Sequence, residues 1–290
     1  MTTALLIEQL MNGLQLGIML FLMSAGLTLV FGIMNMINLM HGTFYMAGAF
    51  VAATIVKLSG SFVLGLIGGV AGAAALGALV ELGLLRKFYS RSHLDQVLVT
   101  FGLVLVFGDL FRMIWGPMAL PMQAPSLFSG FVKIFPGVDY PAYRLAIIAV
   151  GLLMASALYV LVVKTKAGMW VRAGASDRDT AQALGVNVQA LFSAVFALGA
   201  ALAGLAGLMT GPVTAVQVGM GEPVLILALV VTVIGGIGSV QGALFGAILI
   251  GIVDTFGRVL LPASISSMII FILMAGILAF RPAGLVHAHG

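Results

Sequence analysis

Residues 9–56 read QLMNGLQLGIMLFLMSAGLTLVFGIMNMINLMHGTFYMAGAFVAATIV and contain no formally charged side chain. A helix needs about 20 mostly apolar residues to cross the hydrocarbon core of a membrane, so this stretch is long enough to cross twice. Its apolar runs are continuous, whereas the strands of a membrane β-barrel alternate apolar and polar residues. The stretch therefore predicts two membrane-spanning helices.

The rest of the chain continues this pattern. Of the 290 residues, 62% are hydrophobic and 8% are charged, whereas soluble domains carry about 25% charged residues. This composition excludes a water-soluble fold. Further apolar stretches lie at about 61–84, 96–115, 143–163, 191–211, 223–241, 242–260 and 265–280. We predict an all-α polytopic membrane protein with about nine transmembrane helices (8–10), built as a single transmembrane domain over residues 1–290.

Lysine and arginine predict the orientation, because basic loops stay in the cytoplasm. The residues placed inside are Arg86, Lys87, Arg91, Lys164, Lys166, Arg172, Arg178 and Arg281. The N-terminus is then outside, the C-terminus inside, and the proline-bearing loop from Pro117 to Pro136 periplasmic. The net charge of +4 does not indicate a nucleic-acid partner, since the basic residues fall between spans. The sequence contains no Cys, which excludes disulfides and Cys-based metal sites.

Polar or glycine-rich sequence interrupts the apolar rhythm twice, which predicts broken helices near 33–42 and 235–242. Non-helical backbone at membrane depth is tolerated where protein or a water-filled cavity satisfies it, and paired broken helices often line a transport route. The candidate route residues are Asn35, Asn38, His41, Gly42, Thr43, Tyr45, Gly236, Gly238 and Ser239. Gly42-Thr-Phe-Tyr and Gly242-Ala-Leu-Phe suggest a weak internal repeat. Alternatively, each break is a turn between two spans.

Small residues recur every four positions along one predicted helix, which indicates close packing between membrane helices. They are Gly199, Ala203, Gly207 and Gly211. Charged residues within spans are costly, so each calls for a partner. Helical spacing pairs Asp109 with Arg112 and Asp254 with Arg258, whereas Glu81 and Glu222 have no partner nearby in sequence.

The longest charged segment, about 164–190, contains a short helix with recognisable ends. Ser176 can cap its N-terminus, Asp177 and Asp179 suit the positive end of the helix dipole, and Gly185 suits a left-handed stop. Such a helix in a cytoplasmic loop is suited to docking another protein. An ordinary solvated loop helix is the alternative.

Several motifs carry a family resemblance. They are Gly26-Leu-Thr-Leu-Val-Phe-Gly32, Asn38-Leu-Met-His41-Gly42, Tyr45-Met-Ala-Gly48, Val171-Arg172-Ala173, Asp177-Arg178, Leu184-Gly185-Val186-Asn187, Ala203-Gly-Leu-Ala-Gly207 and Gly235-Gly236-Ile-Gly238-Ser239. Together these motifs resemble the permeases of branched-chain amino acid ABC importers, specifically the shorter of the two that pair in these systems. The resemblance extends over most of the chain.

The resemblance implies a permease subunit that translocates branched-chain amino acids or a related small polar solute across the bacterial inner membrane. It implies a second permease forming a heterodimer, two cytoplasmic ATPase subunits that hold ATP and Mg, and a periplasmic solute-binding protein. The 164–190 segment would be the loop that couples to the ATPase. Its coupling residues would be Arg172, Ser176, Asp177, Arg178, Asp179, Leu184, Gly185 and Asn187.

The residues themselves leave two rival classes to weigh. An ion-coupled secondary transporter would use His41, Glu81 or Glu222 and would need no ATPase. An intramembrane enzyme would need clustered acid, base or nucleophile residues, which the sequence does not present. It also has no Gly-x-x-x-x-Gly-Lys-[Ser/Thr] run, so we expect no catalytic site, cofactor or metal in this chain and place ATP hydrolysis on separate subunits.

Overall fold

The computed structural model describes residues 2–286, which form a helical bundle with one β-hairpin at its edge. The helices are α1 (Thr3–Met34), α2 (His41–Ser59), α3 (Phe62–Gly83), α4 (His93–Trp115), α5 (Ala142–Lys164), α6 (Lys166–Ser176), α7 (Arg178–Ala183), α8 (Val188–Thr214), α9 (Gly221–Gly235), α10 (Val240–Leu260), α11 (Ala263–Ser266) and α12 (Ile269–Phe280). The strands are β1 (Phe131–Phe135) and β2 (Val138–Pro141), which pair antiparallel.

Seven helices in the described part of the chain are long and apolar enough to cross a membrane, namely α1, α2, α3, α4, α5, α8 and α10. Two further apolar helices, α9 and α12, have 15 and 12 residues. At 1.5 Å per residue they extend for only about 22 and 18 Å, less than the roughly 30 Å of a hydrocarbon core. The structure therefore confirms an all-α polytopic membrane protein, with seven helices of full spanning length.

The bundle has two ends, which we name after the elements they carry. At the hairpin end, the hydroxyl of Tyr140 in β2 donates to Asn12 Oδ1 of α1 (3.1 Å). At the loop end, Arg178 of α7 donates to the carbonyl oxygen of Met34, the last residue of α1 (2.9 Å). Helix α1 thus runs from the hairpin end to the loop end. Helix α8 runs the opposite way, because it begins beside α7.

Glycines set the core by letting helix backbones touch. A methyl group placed on Gly26 of α1 would lie 2.6 Å from the carbonyl oxygen of Gly199 on α8. One on Gly17 of α1 would lie 2.8 Å from the carbonyl oxygen of Ala247 on α10. Gly207 of α8 meets the backbone of Tyr45 on α2 in the same way. Two members of the predicted stripe, Gly199 and Gly207, therefore lie at helix contacts, whereas Gly211 packs against Met122 and Val216 in the loops.

The β-hairpin between α4 and α5 was not predicted. The prolines from Pro117 to Pro136 indicated an irregular loop, yet the stretch that follows Gly130 forms two strands joined at Gly137, whose φ is +84°. Glycine readily adopts this left-handed conformation and so permits the tight turn.

Candidate functional site

The first break separates α1 from α2. Asn35 has a φ of +50° and ends α1, and α2 begins at His41. Asn38 Oδ1 accepts a hydrogen bond from the Met40 backbone N–H (2.9 Å) and so caps the entry to α2. The predicted broken helix near 33–42 is thus present, with its non-helical part at 35–40.

Two side chains in this break are fully buried with unpaired polar atoms. Asn38 Nδ2 and both ring nitrogens of His41 have no hydrogen-bond partner within residues 2–286. An unpaired buried polar group costs about 1–3 kcal/mol. The His41 ring packs against Phe44 and Phe196, with ring centroids 5.8 and 6.3 Å away. The first break therefore holds polar atoms that the surrounding fold leaves unsatisfied.

The second break, between α9 and α10, is a tight glycine turn. Gly236 and Gly238 have φ values of +101° and +83°. Ser239 Oγ accepts from the Gly242 backbone N–H (3.0 Å) and caps α10. The backbone N–H of Leu285 donates to the carbonyl oxygen of Ile234 (2.8 Å), so the C-terminal segment covers the turn. This geometry matches the alternative of a turn between two helices, and a role for these residues in the route stays a prediction.

A third break, at 215–220, was missed at the sequence level. Ala215 has a φ of +64° and ends α8, and α9 begins at Gly221. A methyl group on Gly42 would lie 3.0 Å from the carbonyl oxygen of Gly221, so α2 and α9 begin side by side. The structural counterpart of the first break is therefore this one, and not the 235–242 break that the weak repeat suggested.

The third break begins like the first, and one sequence feature could have revealed it. Asn35 and Ala215 are the two non-glycine residues with positive φ in the described chain, and each ends a long helix. In the sequence, Gly219-Met-Gly221-Glu-Pro223 precedes the apolar run of α9. Proline is tolerated in the first turn of a helix, and glycines permit the preceding bend. The apolar stretch at about 223–241 instead predicts a span that begins at residue 223.

A narrow groove of about 20 Å³ opens beside this meeting point. It lies between α2, α4 and α9, and its lining includes Gly42, Thr43, Gly219, Gly221 and Glu222. Glu222 is exposed in this chain and lies in the first turn of α9, where the helix dipole favours a carboxylate. Of the predicted route residues, Gly42 and Thr43 line this groove.

The α5–α8 loop contains two helices, α6 and α7, where one was predicted. Asp177 caps α7, and its Oδ1 accepts from the backbone N–H groups of Asp179 and Thr180 (3.0 Å each). The Thr180 hydroxyl donates to the Asp177 carboxylate (2.6 Å), which lowers the pKa of Asp177. Ser176, predicted as the cap, is instead the last residue of α6, because the extended backbone needed at a cap occurs at Asp177.

Gly185 ends α7 with the predicted left-handed backbone, at a φ of +87°. The Val186 N–H reaches back to the carbonyl oxygen of Ala181 (3.0 Å), as in a Schellman motif. Asn187 then caps α8 by accepting from the Ala190 N–H (3.0 Å).

The remaining predicted coupling residues differ in exposure and in contacts. Asp177, Asp179, Leu184 and Arg172 are exposed. Arg178 points into the bundle, and Arg172 donates to the carbonyl oxygen of Val162 at the end of α5.

Glu81, which lacks a helical-spacing partner, is fully buried within a cluster at the loop end. Its carboxylate accepts from Arg86 Nε (3.1 Å), the Tyr89 hydroxyl (2.6 Å) and the Ser193 hydroxyl (2.7 Å). Burial is the main cause that raises the pKa of Tyr89, and the hydrogen bond to the Glu81 carboxylate and the charge of that group raise it further. Sequence spacing missed the cluster because Arg86 lies beyond the end of α3 and Ser193 belongs to α8.

The other predicted ion pairs are present. Arg112 Nη1 lies 3.3 Å from Asp109 Oδ1, with both side chains more than half exposed, and Arg258 Nε lies 2.8 Å from Asp254 Oδ2, with Asp254 buried. No group of three or more His, Asp or Glu side chains placed to hold a metal occurs among residues 2–286.

Comparison with known proteins places this architecture among permeases. Residues 9–278 match the family described as branched-chain amino acid transport system / permease component. The chain is 29% identical to the high-affinity branched-chain amino acid transport system permease protein BraD of Pseudomonas aeruginosa, over 97% of this chain and 95% of that one. It is 27% identical to the corresponding protein LivH of Escherichia coli, over the same shares. It is 28% identical to the probable branched-chain amino acid transport permease protein LivH of Methanocaldococcus jannaschii, over 82% of this chain and 76% of that one. Because the family match covers nearly the whole chain, this protein belongs to the permease family of branched-chain amino acid transport systems.

Proposed function

We propose that this chain is the permease subunit of an ATP-driven importer that carries branched-chain amino acids or a related small polar solute across the bacterial inner membrane. Family membership supports this function over an ion-coupled carrier. The observation that carries the proposal is the joint presence of broken helices inside the bundle and a capped, exposed helix, α7, at one end of it.

The solute route runs along the groove beside the first and third breaks. Gly42, Thr43, Gly221 and Glu222 meet there, and α9 is too short to carry its start to the membrane surface. Asn38 and His41 add buried polar atoms behind the groove. Asn35 and Tyr45 flank this break. Gly236, Gly238 and Ser239 shape the neighbouring turn, which supports α10 beside the route.

A second permease covers the groove. Glu222 is exposed in the isolated chain. Because α9 is too short to cross the membrane, we place this side chain within it, where a charge that faces lipid costs at least about 2.5 kcal/mol. A heterodimer would bury this face and supply the other half of the route.

The α5–α8 loop is the site at which a cytoplasmic ATPase docks. Its exposed face presents Asp177, Asp179 and Leu184, and two ATPase subunits would hold the ATP and Mg that this chain is not expected to bind. The loop end is then cytoplasmic, and the hairpin end faces a periplasmic solute-binding protein. The C-terminus is assigned to the cytoplasm, although residues 287–290 lie outside the described residues.

Reconstitution tests the proposal. The chain, a second permease, two ATPases and the binding protein are assembled in proteoliposomes, and uptake of labelled leucine is followed with and without ATP. We expect uptake that requires ATP and every partner. Uptake by this chain alone, driven by a proton or sodium gradient, would refute the importer and favour the secondary carrier.

A further inference from the structure

Arg178 lies on α7 but is directed away from the surface that an ATPase would meet. Its guanidinium Nη2 donates to the carbonyl oxygens of Met34 (2.9 Å) and Ile33 (3.4 Å), the last two residues of α1. Its exposed neighbours Asp177 and Asp179 face outward. One short helix therefore carries an outward face and an inward arginine.

The contact occupies a position where α1 needs a donor. The last four carbonyl groups of a helix have no partner within it, and here the Asn35 N–H takes that of Phe31. Arg178 donates to the last two carbonyl oxygens, those of Ile33 and Met34. A cation at the C-terminal end of a helix also interacts favourably with the helix dipole. Because Asn35 begins the first break, Arg178 holds the chain at the residue before α1 unwinds.

A second contact fixes the guanidinium in place. The Arg178 guanidinium carbon lies 4.9 Å from the centroid of the Phe192 ring, in the second turn of α8, which is a cation–π geometry. Phe192 in turn packs edge-on against Tyr89, whose hydroxyl binds Glu81. Arg178 thus links α7 to both α1 and α8. The Phe192 ring on which it packs is supported by Tyr89, which is itself hydrogen-bonded to Glu81.

We infer that Arg178 is the positioning residue that transmits movement of α7 to the end of α1 and the first break, and that it is not a docking contact for the ATPase. This inference rests on the proposed function. Within the proposed function, the exposed residues of α7 bind the ATPase, and Arg178 transmits the resulting displacement of α7 to the end of α1.

Arg112 of α4 offers a control outside the coupling loop. Its guanidinium also donates a hydrogen bond, to the carboxylate of Asp109 on the same helix (3.3 Å). Arg112→Gln therefore removes the same charge and one hydrogen bond at a residue that has no part in the proposed coupling. Arg178→Lys keeps the charge but loses the planar fork that reaches two carbonyls and stacks on an aromatic ring.

The experiment compares wild type, Arg178→Gln, Arg178→Lys and Arg112→Gln in the assembled transporter. Four quantities are measured: ATPase co-purification, ATP hydrolysis, leucine uptake, and the thiol reactivity of an Ile37→Cys reporter in the first break, with and without ATP. The reporter is unambiguous because the native chain has no Cys. A purely structural role for Arg178 would not change the nucleotide response of the reporter at unchanged thermal stability.

We expect Arg178→Gln to retain the ATPase and its hydrolysis while uptake falls about tenfold, the effect on an equilibrium of losing one charge-assisted hydrogen bond. The reporter should lose its response to ATP. Arg178→Lys should recover part of the uptake, and Arg112→Gln should behave as wild type.

The inference would be overturned by unchanged uptake and reporter response in Arg178→Gln, by release of the ATPase in that variant, or by an equal loss in Arg112→Gln. Full recovery by lysine would also overturn it, since charge alone would then suffice. If the wild-type assembly itself shows no ATP-dependent uptake, the proposed function fails before any variant is compared.

Discussion

Gly42 and Gly221 are in backbone contact at the point where α2 and α9 begin, and neither position has room for a side chain. Gly221→Ala should therefore force the two helix starts apart. Overpacking of this kind costs roughly 1–3 kcal/mol, which thermal unfolding in detergent would register as a lower midpoint. Gly102→Ala on α4 is the control, because nothing lies within 4 Å of a methyl group there. An unchanged midpoint in Gly221→Ala would contradict the close contact.

Arg86 and Arg112 each form an ion pair, but their carboxylate partners differ in burial. Glu81 is fully buried, whereas Asp109 is 75% exposed. Arg86→Met should leave the buried Glu81 carboxylate without its ion-pair partner and lower the free energy of unfolding by about 3 kcal/mol. Arg112→Met should lower it by less than about 1 kcal/mol. Thermal unfolding of both variants checks the difference. Equal effects would show that the Glu81 cluster does not depend on its arginine.

The left-handed backbone at Gly185 can be tested without steric interference, since nothing lies within 4 Å of a side chain there. A β-branched residue in this conformation is strained by about 1–2 kcal/mol. Gly185→Val should misplace α7 and reduce co-purification of the ATPase. Asparagine tolerates the left-handed region, so Gly185→Asn should retain the ATPase. Normal docking in the valine variant would argue against a role for this turn in coupling.

Substitution of Asn38 should impair a different step of transport from substitution of Gly185. Asn38→Leu removes the buried amide at the first break and the cap that it gives to Met40, so we expect uptake to fall while the ATPase still docks. Asn38→Ser keeps an oxygen able to cap the helix and separates the loss of the cap from the loss of the amide. Loss of the ATPase in Asn38→Leu would show that the two roles are wrongly assigned.

The orientation of the bundle is open to direct labelling. Asp179→Cys should react with a membrane-impermeant thiol reagent only from the cytoplasmic side, because the basic residues flanking α6 favour the inside. Lys133→Cys, on the exposed strand β1, should react only from the periplasm. The reverse pattern would invert the topology.

The sequence was informative wherever one local rule decides the structure. Apolar run length located the full-length spans, and helical spacing located the Asp254–Arg258 pair. The left-handed stop at Gly185 followed from glycine chemistry alone. The features that the sequence did not predict depend on contacts between residues far apart in the chain. Glu81 finds Ser193 across more than a hundred residues, and the third break becomes visible only when Gly221 meets Gly42.

Backbone-to-backbone glycine contacts also limit how this protein can move. Gly17 on Ala247, Gly26 on Gly199 and Gly48 on Gly204 interlock α1, α2, α8 and α10. Sliding any of these helices by one residue would drive a side chain into a neighbouring backbone. The four helices should therefore turn together as one rigid body. A displacement at the end of α1 would then appear as a tilt of this unit relative to the proposed second permease, with rearrangement inside the chain confined to the breaks between helices.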